Sequence, residues 1–220
     1  AGRGAPVGWR MTPRMAARRE RMRATGAQLL HEYGPEGIAL MDIARAADVP
    51  ASVSSHGYRR RHELVFDILH AYADALHEYV GAADDAAPAD RADRDSHLHR
   101  LVAALLLGMR EHRHAHGLWL AARAHLPVAE QEALRYLHRT LLYRLAPPLE
   151  AALPRPRRRR DLLAPLLRSL MAMAAASPLW LHPRGPLDLD TYARLIVSAV
   201  LAGGRTMLAR PQSPDSGTTP

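Results

Sequence analysis

Apolar residues recur every three or four positions along most of the chain, which predicts amphipathic helices. The clearest stripes lie in residues 64–79 and 98–109, where leucine, valine and other apolar residues are separated by polar ones at helical spacing. No segment sustains the two-residue alternation and the β-branched content that are typical of a strand. The pattern therefore predicts an all-α chain of about nine helices.

Caps and breaks divide this pattern into elements. Thr12 followed by Pro13 predicts the start of the first helix, and Gly34 its end in a left-handed conformation. The last helix is expected to start at Asp188 or Asp190 and to continue to Leu208. Other helices are expected to start at the Arg59–Arg61 run, at Ser96 and at Asp161. We expect breaks at Gly81 and Gly117, a helix end at Pro147-Pro148 and a connector over residues 153–160.

Two short predicted helices near the N-terminus form a helix-turn-helix pattern. The first contains residues 41–44, and the second, here called the recognition segment, is residues 51–56. A tight break at residues 48–50 separates them, and basic residues flank the pair. Two short helices about one turn apart are typical of a DNA reader, whose second helix enters the major groove. A three-helix structural unit with no role in DNA binding is the alternative.

Residues 23–64 contain a set of residues whose spacing is typical of one family. The set is Leu30, Gly34, Asp42, Ile43, Ala44, Ala47, Val49, Tyr58, Arg61, Glu63 and Leu64. It resembles the N-terminal domain of the tetracycline-repressor (TetR) family of bacterial regulators, which usually has phenylalanine at the position of Tyr58 and lysine at that of Arg61. The resemblance implies a helix-turn-helix DNA-binding domain followed by a helical ligand-binding and dimerisation domain. We expect a disordered basic arm over residues 1–13, the DNA-binding domain over 14–60, the ligand-binding and dimerisation domain over 61–210 and a disordered tail over 211–220.

The chain departs from the family pattern at the caps of both short helices. Ala39 stands where the second helix usually has a Thr or Ser cap, and Pro50 stands at the cap of the recognition segment. A side-chain cap contributes about 1 kcal/mol, so both helices lack that support unless Ser52 substitutes. Ser54 and Ser55 replace apolar and aromatic residues, and Gly57 is a poor helix former. These departures favour a second hypothesis, an interaction protein with this fold that has weakened or lost specific DNA binding.

Charge favours DNA as the partner. All 30 basic residues are arginine, the net charge is +8, and residues 1–23 hold seven arginines against one glutamate. A basic arm suits phosphate contact, although a solvated tail is the alternative. Because the recognition segment lacks Arg, Asn and Gln, we expect phosphate contacts to outweigh base reading. The candidate DNA-binding residues are Ala51, Ser52, Val53, Ser55 and His56 for bases and Arg59, Arg60 and Arg61 for phosphates.

The resemblance also implies a small-molecule site and a homodimer in the C-terminal domain. Few polar groups among the candidates suggest a mostly apolar effector, oriented by His112 or a tyrosine hydroxyl; an ordinary core is the alternative. The candidate pocket residues are Met109, His112, Trp119, Tyr136, Tyr143, Met171 and Met173. The final two helices are expected to pair with those of a second copy through Leu166, Leu170, Met173, Leu195, Ile196, Ala199 and Val200.

Other chemistry has no support in the sequence. There is no cysteine, Gly-rich phosphate loop, nucleophile elbow or HExxH motif, so we predict neither an enzyme nor a cofactor. His112 and His116 have metal-ligand spacing, but no third ligand is identifiable, and histidines at a helix end are the favoured interpretation. The apolar runs fall short of a membrane span, and no leader peptide is recognisable, so we expect a cytoplasmic protein. As the resemblance implies, we expect a homodimeric repressor that binds palindromic DNA and is released from it by the effector.

Overall fold

The computed structural model describes residues 12–50, 57–86, 94–154, 159–177 and 187–209. These residues form eight α-helices and one 3-10 helix and contain no strand, which confirms the all-α prediction. Among them, no helix combines the length and the apolar character that crossing a membrane would require. The elements are α1 Pro13–Tyr33, α2 Leu40–Ala46, α3 Arg61–Asp85, α4 Arg94–Glu111, α5 Arg113–Ala122, the 3-10 helix Arg123–His125, α6 Val128–Ala152, α7 Arg159–Ala175 and α8 Leu189–Ala209.

Helix α1 begins and ends as the sequence predicts, with one difference in backbone conformation. Thr12 is the cap residue, and its Oγ1 accepts a hydrogen bond of 3.3 Å from the Met15 backbone N–H; Pro13 follows in the first turn. Gly34 ends the helix with φ 83° and ψ 159°. The φ is positive, as predicted, but the ψ is extended rather than left-handed helical. Only glycine adopts this region without strain.

The chain divides into two compact units. The first consists of Ala1–Tyr72 and His114–Leu134. Its core contains Leu30 from α1, Ile43 from α2 and Leu64 from α3, each fully buried. Gly26 lets α1 approach these helices closely, because a Cβ there would lie 3.1 Å from Leu64 Cδ2. Close packing of α1, α2 and the start of α3 therefore forms the core of the first unit.

The second unit consists of Ala73–Arg113 and Arg135–Pro220. Within it, α8 packs against α4 and α7, and α4 also contacts α7. Gly204 in α8 permits a close approach, since a Cβ there would lie 2.8 Å from Leu153 Cδ2 and 3.0 Å from Leu166 Cδ1. The core is predominantly leucine, including Leu98, Leu101, Leu105, Leu106, Leu145, Leu149 and Leu170.

Two glycine breaks predicted from the sequence are wrong. Helix α3 continues through Gly81 to Asp85, and α5 continues through Gly117. Both glycines lie where another side chain approaches the helix. A Cβ at residue 81 would be 2.6 Å from Arg144 Nη1, and one at residue 117 would overlap the His31 imidazole. These glycines therefore provide space within a helix rather than ending it.

The predicted end of a helix at the proline pair is also wrong. Helix α6 contains Pro147 and Pro148 and continues to Ala152. Leu145 and Leu149, on either side of the pair, are both fully buried, so apolar packing continues past the prolines and offsets their missing N–H donors. Helix α3 begins at Arg61, within the predicted Arg59–Arg61 run. Two other boundaries differ slightly: α4 begins at Arg94 rather than Ser96, and α7 at Arg159 rather than Asp161.

Candidate nucleic-acid interface

The predicted base-reading residues Ala51, Ser52, Val53, Ser55 and His56 lie outside the described residues. The structure does describe both ends of the recognition segment. On one side Pro50 is exposed and Val49 is buried; on the other Gly57 is exposed and Tyr58 is 5% exposed. The interface can therefore be built from α1, α2, the residues flanking the segment and the start of α3.

Helix α2 has the uncapped start that the sequence predicts. Ala39 is its N-cap residue and makes no side-chain hydrogen bond to the helix. The other end of α2 is supported from α1, because Arg21 Nε donates to the Ala47 carbonyl and Arg21 Nη2 to the Asp48 carbonyl, each at 3.1 Å. Asp48 has φ 52°, the tight break that precedes the recognition segment. Helix α2 thus has no side-chain cap at its start, but an arginine from α1 binds the carbonyls that follow its end.

Arg61 is partly exposed and bonds the turn between α1 and α2. Its Nη1 donates to the Pro35 carbonyl and to Glu36 Oε2, both at 2.8 Å. The guanidinium therefore ties the start of α3 to the turn between α1 and α2. The sequence placed Arg61 among the phosphate-binding residues, but in the structure its charge is already engaged by the protein.

Arg59 and Arg60 are exposed and precede the first turn of α3. Their backbone N–H groups donate to Glu63 Oε2 at 2.7 and 3.3 Å, so Glu63 caps the start of the helix. Hydrogen bonds from these backbone amides lower the pKa of the Glu63 carboxyl below its usual range. Because the cap uses main-chain groups, both guanidinium groups project from a fixed backbone. Of the three arginines that the sequence predicts to bind phosphate, Arg59 and Arg60 remain suited to that contact.

A second α1 arginine belongs to a network that sequence reasoning missed. Arg19 donates to Asp67 in α3 through Nε at 2.8 Å and through Nη2 at 2.6 Å. The Tyr58 hydroxyl donates to the same carboxylate, and the Arg19 Cζ lies 5.9 Å from the centre of the Tyr58 ring. Burial opposes ionisation of Asp67, but the hydrogen bonds from Arg19 and Tyr58 outweigh it and hold the pKa of Asp67 below its usual range.

The first unit also contains a buried polar pair that the sequence did not reveal. The Tyr72 hydroxyl lies 2.7 Å from His116 Nδ1, and Trp119 packs edge-on against the Tyr72 ring. His116 is 1% exposed and Tyr72 3% exposed. The sequence shows His116 only as a residue at metal-ligand spacing from His112. No set of three potential ligands that could hold a metal occurs in the described residues. The pair instead joins α3 to α5.

A further contact within the first unit joins α3 to α6, where His62 Nδ1 lies 3.0 Å from Glu130 Oε1.

The predicted pocket residues differ widely in burial. Met109 and Met171 are buried in the second unit, and Trp119 is buried in the first. His112 is exposed and packs edge-on against Tyr79. Met173 is partly buried. Tyr136 and Tyr143 are 58% and 66% exposed, so they lie on the outer face of α6 rather than in the core of the single chain.

The predicted dimer residues fall on two faces and require a correction. Leu170, Ile196 and Val200 are buried within the single chain, where they form part of the second unit's core. Leu195 is 55% exposed and Ala199 is also exposed. Leu166 and Met173 are partly buried. The set of dimer residues predicted from the sequence therefore includes residues from both the inward and the outward faces of α7 and α8.

Solved structures with the same fold identify the architecture. A regulator from Bordetella parapertussis superposes with a TM-score of 0.72 at 20% identity, covering 88% of this chain and 98% of that one. The regulator PfmR from Thermus thermophilus gives a TM-score of 0.67 at 19% identity, covering 83% of this chain and 97% of that one. Both are described as TetR-family transcriptional regulators. The chain has the TetR fold.

A third solved structure with this fold contains both a ligand and DNA. AibR in complex with isovaleryl coenzyme A and operator DNA has a TM-score of 0.69 at 19% identity, covering 84% of this chain and 98% of that one. A scan against protein-family models and a search of curated proteins found no match. The TetR fold, which the sequence resemblance predicted from residues 23–64, is thus confirmed across most of the chain by structure.

Proposed function

We propose that this protein is a homodimeric transcriptional regulator that binds palindromic DNA through residues 51–60 and responds to a small, mostly apolar effector. Repression is the expected mode, and neither catalysis nor a cofactor is part of the proposal. The observation that carries it is the TetR fold together with a helix-turn-helix pattern at the expected place in the chain. Similar proteins of this fold are described as regulators.

DNA binding would depend mainly on phosphate contacts. Arg59 and Arg60 are exposed on a capped backbone, and Arg14 is exposed on the outer surface of α1. None of the five base-reading candidates can make a bidentate contact with a guanine or adenine edge. Neutralising phosphates releases counterions, so affinity should fall steeply with salt. Discrimination between sequences should be modest.

The effector would bind among the second unit's large apolar side chains. Met109 and Met171 are buried there, and methionine adapts well to irregular apolar ligands. AibR shows that one protein with this fold holds both an acyl coenzyme A and operator DNA. Coupling would be reciprocal, because an effector that favours one arrangement of the helices changes DNA affinity by the same factor as DNA changes effector affinity.

The homodimer would use the outward face of α8. Leu195, Ala199 and Met207 are exposed at helical spacing on this helix, with Leu195 at 55% and Met207 at 49%. Two copies related by a two-fold axis would bury these residues against each other. The same symmetry would place two recognition segments about 34–36 Å apart, which matches half-sites one helical turn apart on DNA.

Selection of bound DNA from a random pool tests the proposal directly. The full chain should enrich a palindromic site, and fluorescence anisotropy should then show tighter binding to that site than to random DNA. Affinity for both should fall as salt rises. Recovery of no enriched sequence at low salt would contradict the proposed function.

The second candidate is an interaction protein with the TetR fold and no specific operator. The uncapped start of α2 and the absence of a bidentate base reader favour it. The same selection separates the two, because the interaction protein would bind random and selected DNA equally. It would still form dimers, so oligomeric state does not distinguish the candidates.

A further inference from the structure

Two arginines of α1 hold the two described ends of the recognition segment. Before the segment, Arg21 donates to the Ala47 and Asp48 carbonyls. After it, Arg19 and Asp67 bind each other through two hydrogen bonds, and Tyr58 donates its hydroxyl to the same carboxylate. Since Arg19 and Arg21 are two residues apart on one helix, α1 provides a common support for both ends.

The contact at Tyr58 has a fixed geometry. The Asp67 side chain is 12% exposed, and a carboxylate with so little water must be paired and hydrogen-bonded to remain charged. Arg19 fills two of its acceptor positions in the planar, two-bond arrangement that arginine forms with carboxylates. The Tyr58 hydroxyl fills another, and its ring is 5% exposed. Three polar groups and one buried ring therefore determine where residue 58 lies.

Local sequence does little to fix the segment, so this support matters. Helix α2 has no side-chain N-cap, and Gly57 is adjacent to Tyr58. Gly57 also has open space around its Cβ position, so no packing restrains it directly. The hydroxyl that reaches Asp67 exists because the chain has tyrosine here. Phenylalanine would pack the same ring but would remove the hydroxyl's hydrogen bond to the carboxylate.

We propose that Tyr58 is a positioning residue for base recognition, held by Asp67 and Arg19, and that Arg21 completes the support at the other end of the segment. The inference rests on the proposed DNA-binding function. It assigns Arg19 and Arg21 an internal role instead of phosphate contact. The hydroxyl of Tyr58 should therefore affect which sequence is bound more than how strongly DNA is bound in general.

The functional test compares Tyr58→Phe with Tyr192→Phe. Tyr192 is also buried and donates its hydroxyl to the Met173 carbonyl at 3.0 Å, but it belongs to the second unit. For Tyr58→Phe we expect affinity for the selected site to fall about fivefold to tenfold, the size of one typical hydrogen bond, while affinity for random DNA changes less than about twofold. Tyr192→Phe should change neither ratio. Equal losses on both DNAs, or no loss on either, would overturn the proposal.

A second test needs no DNA. The chain has no cysteine, so Gly57→Cys creates a single site for a nitroxide label at the end of the segment. The electron paramagnetic resonance spectrum should show a restricted label in the otherwise unchanged chain and a more mobile one when Tyr58→Phe, Asp67→Asn or Arg19→Gln is added. Tyr192→Phe should leave the spectrum unchanged. Identical spectra for all variants would overturn the positioning role.

The two tests fail separately. If the wild-type chain shows no preference for any DNA, the proposed function is wrong, and the label still reports whether the Arg19–Asp67–Tyr58 network restrains residue 57. If the wild-type chain prefers one site and Tyr58→Phe keeps the full preference, the positioning role is wrong and the proposed function stands. Circular dichroism of each variant confirms that it is folded before either comparison.

Discussion

Removing one hydroxyl from the buried Tyr72–His116 pair should destabilise the first unit measurably. Tyr72→Phe keeps the ring and its edge-on contact with Trp119 but deletes the oxygen that lies 2.7 Å from His116 Nδ1. The two residues are 3% and 1% exposed, so bulk water cannot readily replace the lost partner. The perturbation thus removes the buried hydrogen bond between these two side chains and keeps the aromatic ring.

The expected cost follows from that burial. A typical buried hydrogen bond contributes about 0.5–1.5 kcal/mol net, but leaving one buried partner without its bond costs about 1–3 kcal/mol. Because the phenylalanine ring fills the same volume, no large cavity term should be added. We therefore expect Tyr72→Phe to lower the free energy of unfolding by about 1–3 kcal/mol. Burial raises the pKa of the Tyr72 hydroxyl well above its usual range, so the bonded, protonated form persists around neutral pH.

Urea unfolding followed by circular dichroism measures this cost, and a double-mutant cycle isolates the pair. Tyr72→Phe, His116→Leu and the double variant should give a coupling free energy of about 1 kcal/mol or more, since neighbours that share a bond are not additive. Tyr192→Phe serves as the control for loss of a tyrosine hydroxyl elsewhere. Additive effects, or a loss below about 0.5 kcal/mol for Tyr72→Phe, would refute the argument.

Three further predictions concern other parts of the structure. Ala199→Arg should produce monomers that still fold, whereas Val200→Arg, one position away but buried, should prevent stable folding; sedimentation and circular dichroism distinguish the two outcomes. The pKa of Asp67 is lower in the folded state than in the unfolded state. Its charge therefore stabilises the fold above the unfolded-state pKa, and this stabilisation is lost as the pH falls through the folded-state pKa. Urea unfolding should show that the stability advantage of wild type over Asp67→Asn shrinks in acid. Gly34→Ala should cost about 1–3 kcal/mol through backbone strain alone, since nothing lies within 4 Å of its Cβ position, and thermal unfolding should show no such loss for Gly57→Ala.

Local sequence rules succeeded where the structure is decided locally. The Thr12–Pro13 start and the Gly34 end of α1 depend on a few neighbouring residues, and both were predictable. The rules failed at Gly117 and at the Pro147–Pro148 pair. At Gly117 the helix continues because glycine leaves room for His31 of α1. At the proline pair it continues because buried leucines keep α6 packed. A local sequence pattern does not show such distant contacts.

The candidate site shows the same limit more strongly. Arg19, Arg21 and Arg61 look in the sequence like part of a DNA-facing basic surface. Their hydrogen-bond partners lie 48, 26 and 25 or more positions away, so no local pattern shows that these guanidinium groups bond other parts of the protein. On α8, Leu195 and Ile196 are adjacent in sequence and equally apolar. Only packing against α4 and α7 shows that one is exposed and the other buried.

The proline pair in α6 gives that helix an uneven stiffness along its length. An α-helical N–H bonds the carbonyl four residues earlier, so Pro147 and Pro148 leave the carbonyls of Tyr143 and Arg144 without that donor. Both of these residues are exposed, so we expect water to solvate the two carbonyls. Leu145 and Leu149 remain anchored in the core at the same level. Thermal bending of α6 should therefore concentrate at this one turn, and solvated carbonyls there should add a lower-frequency component to the helix amide I band in the infrared.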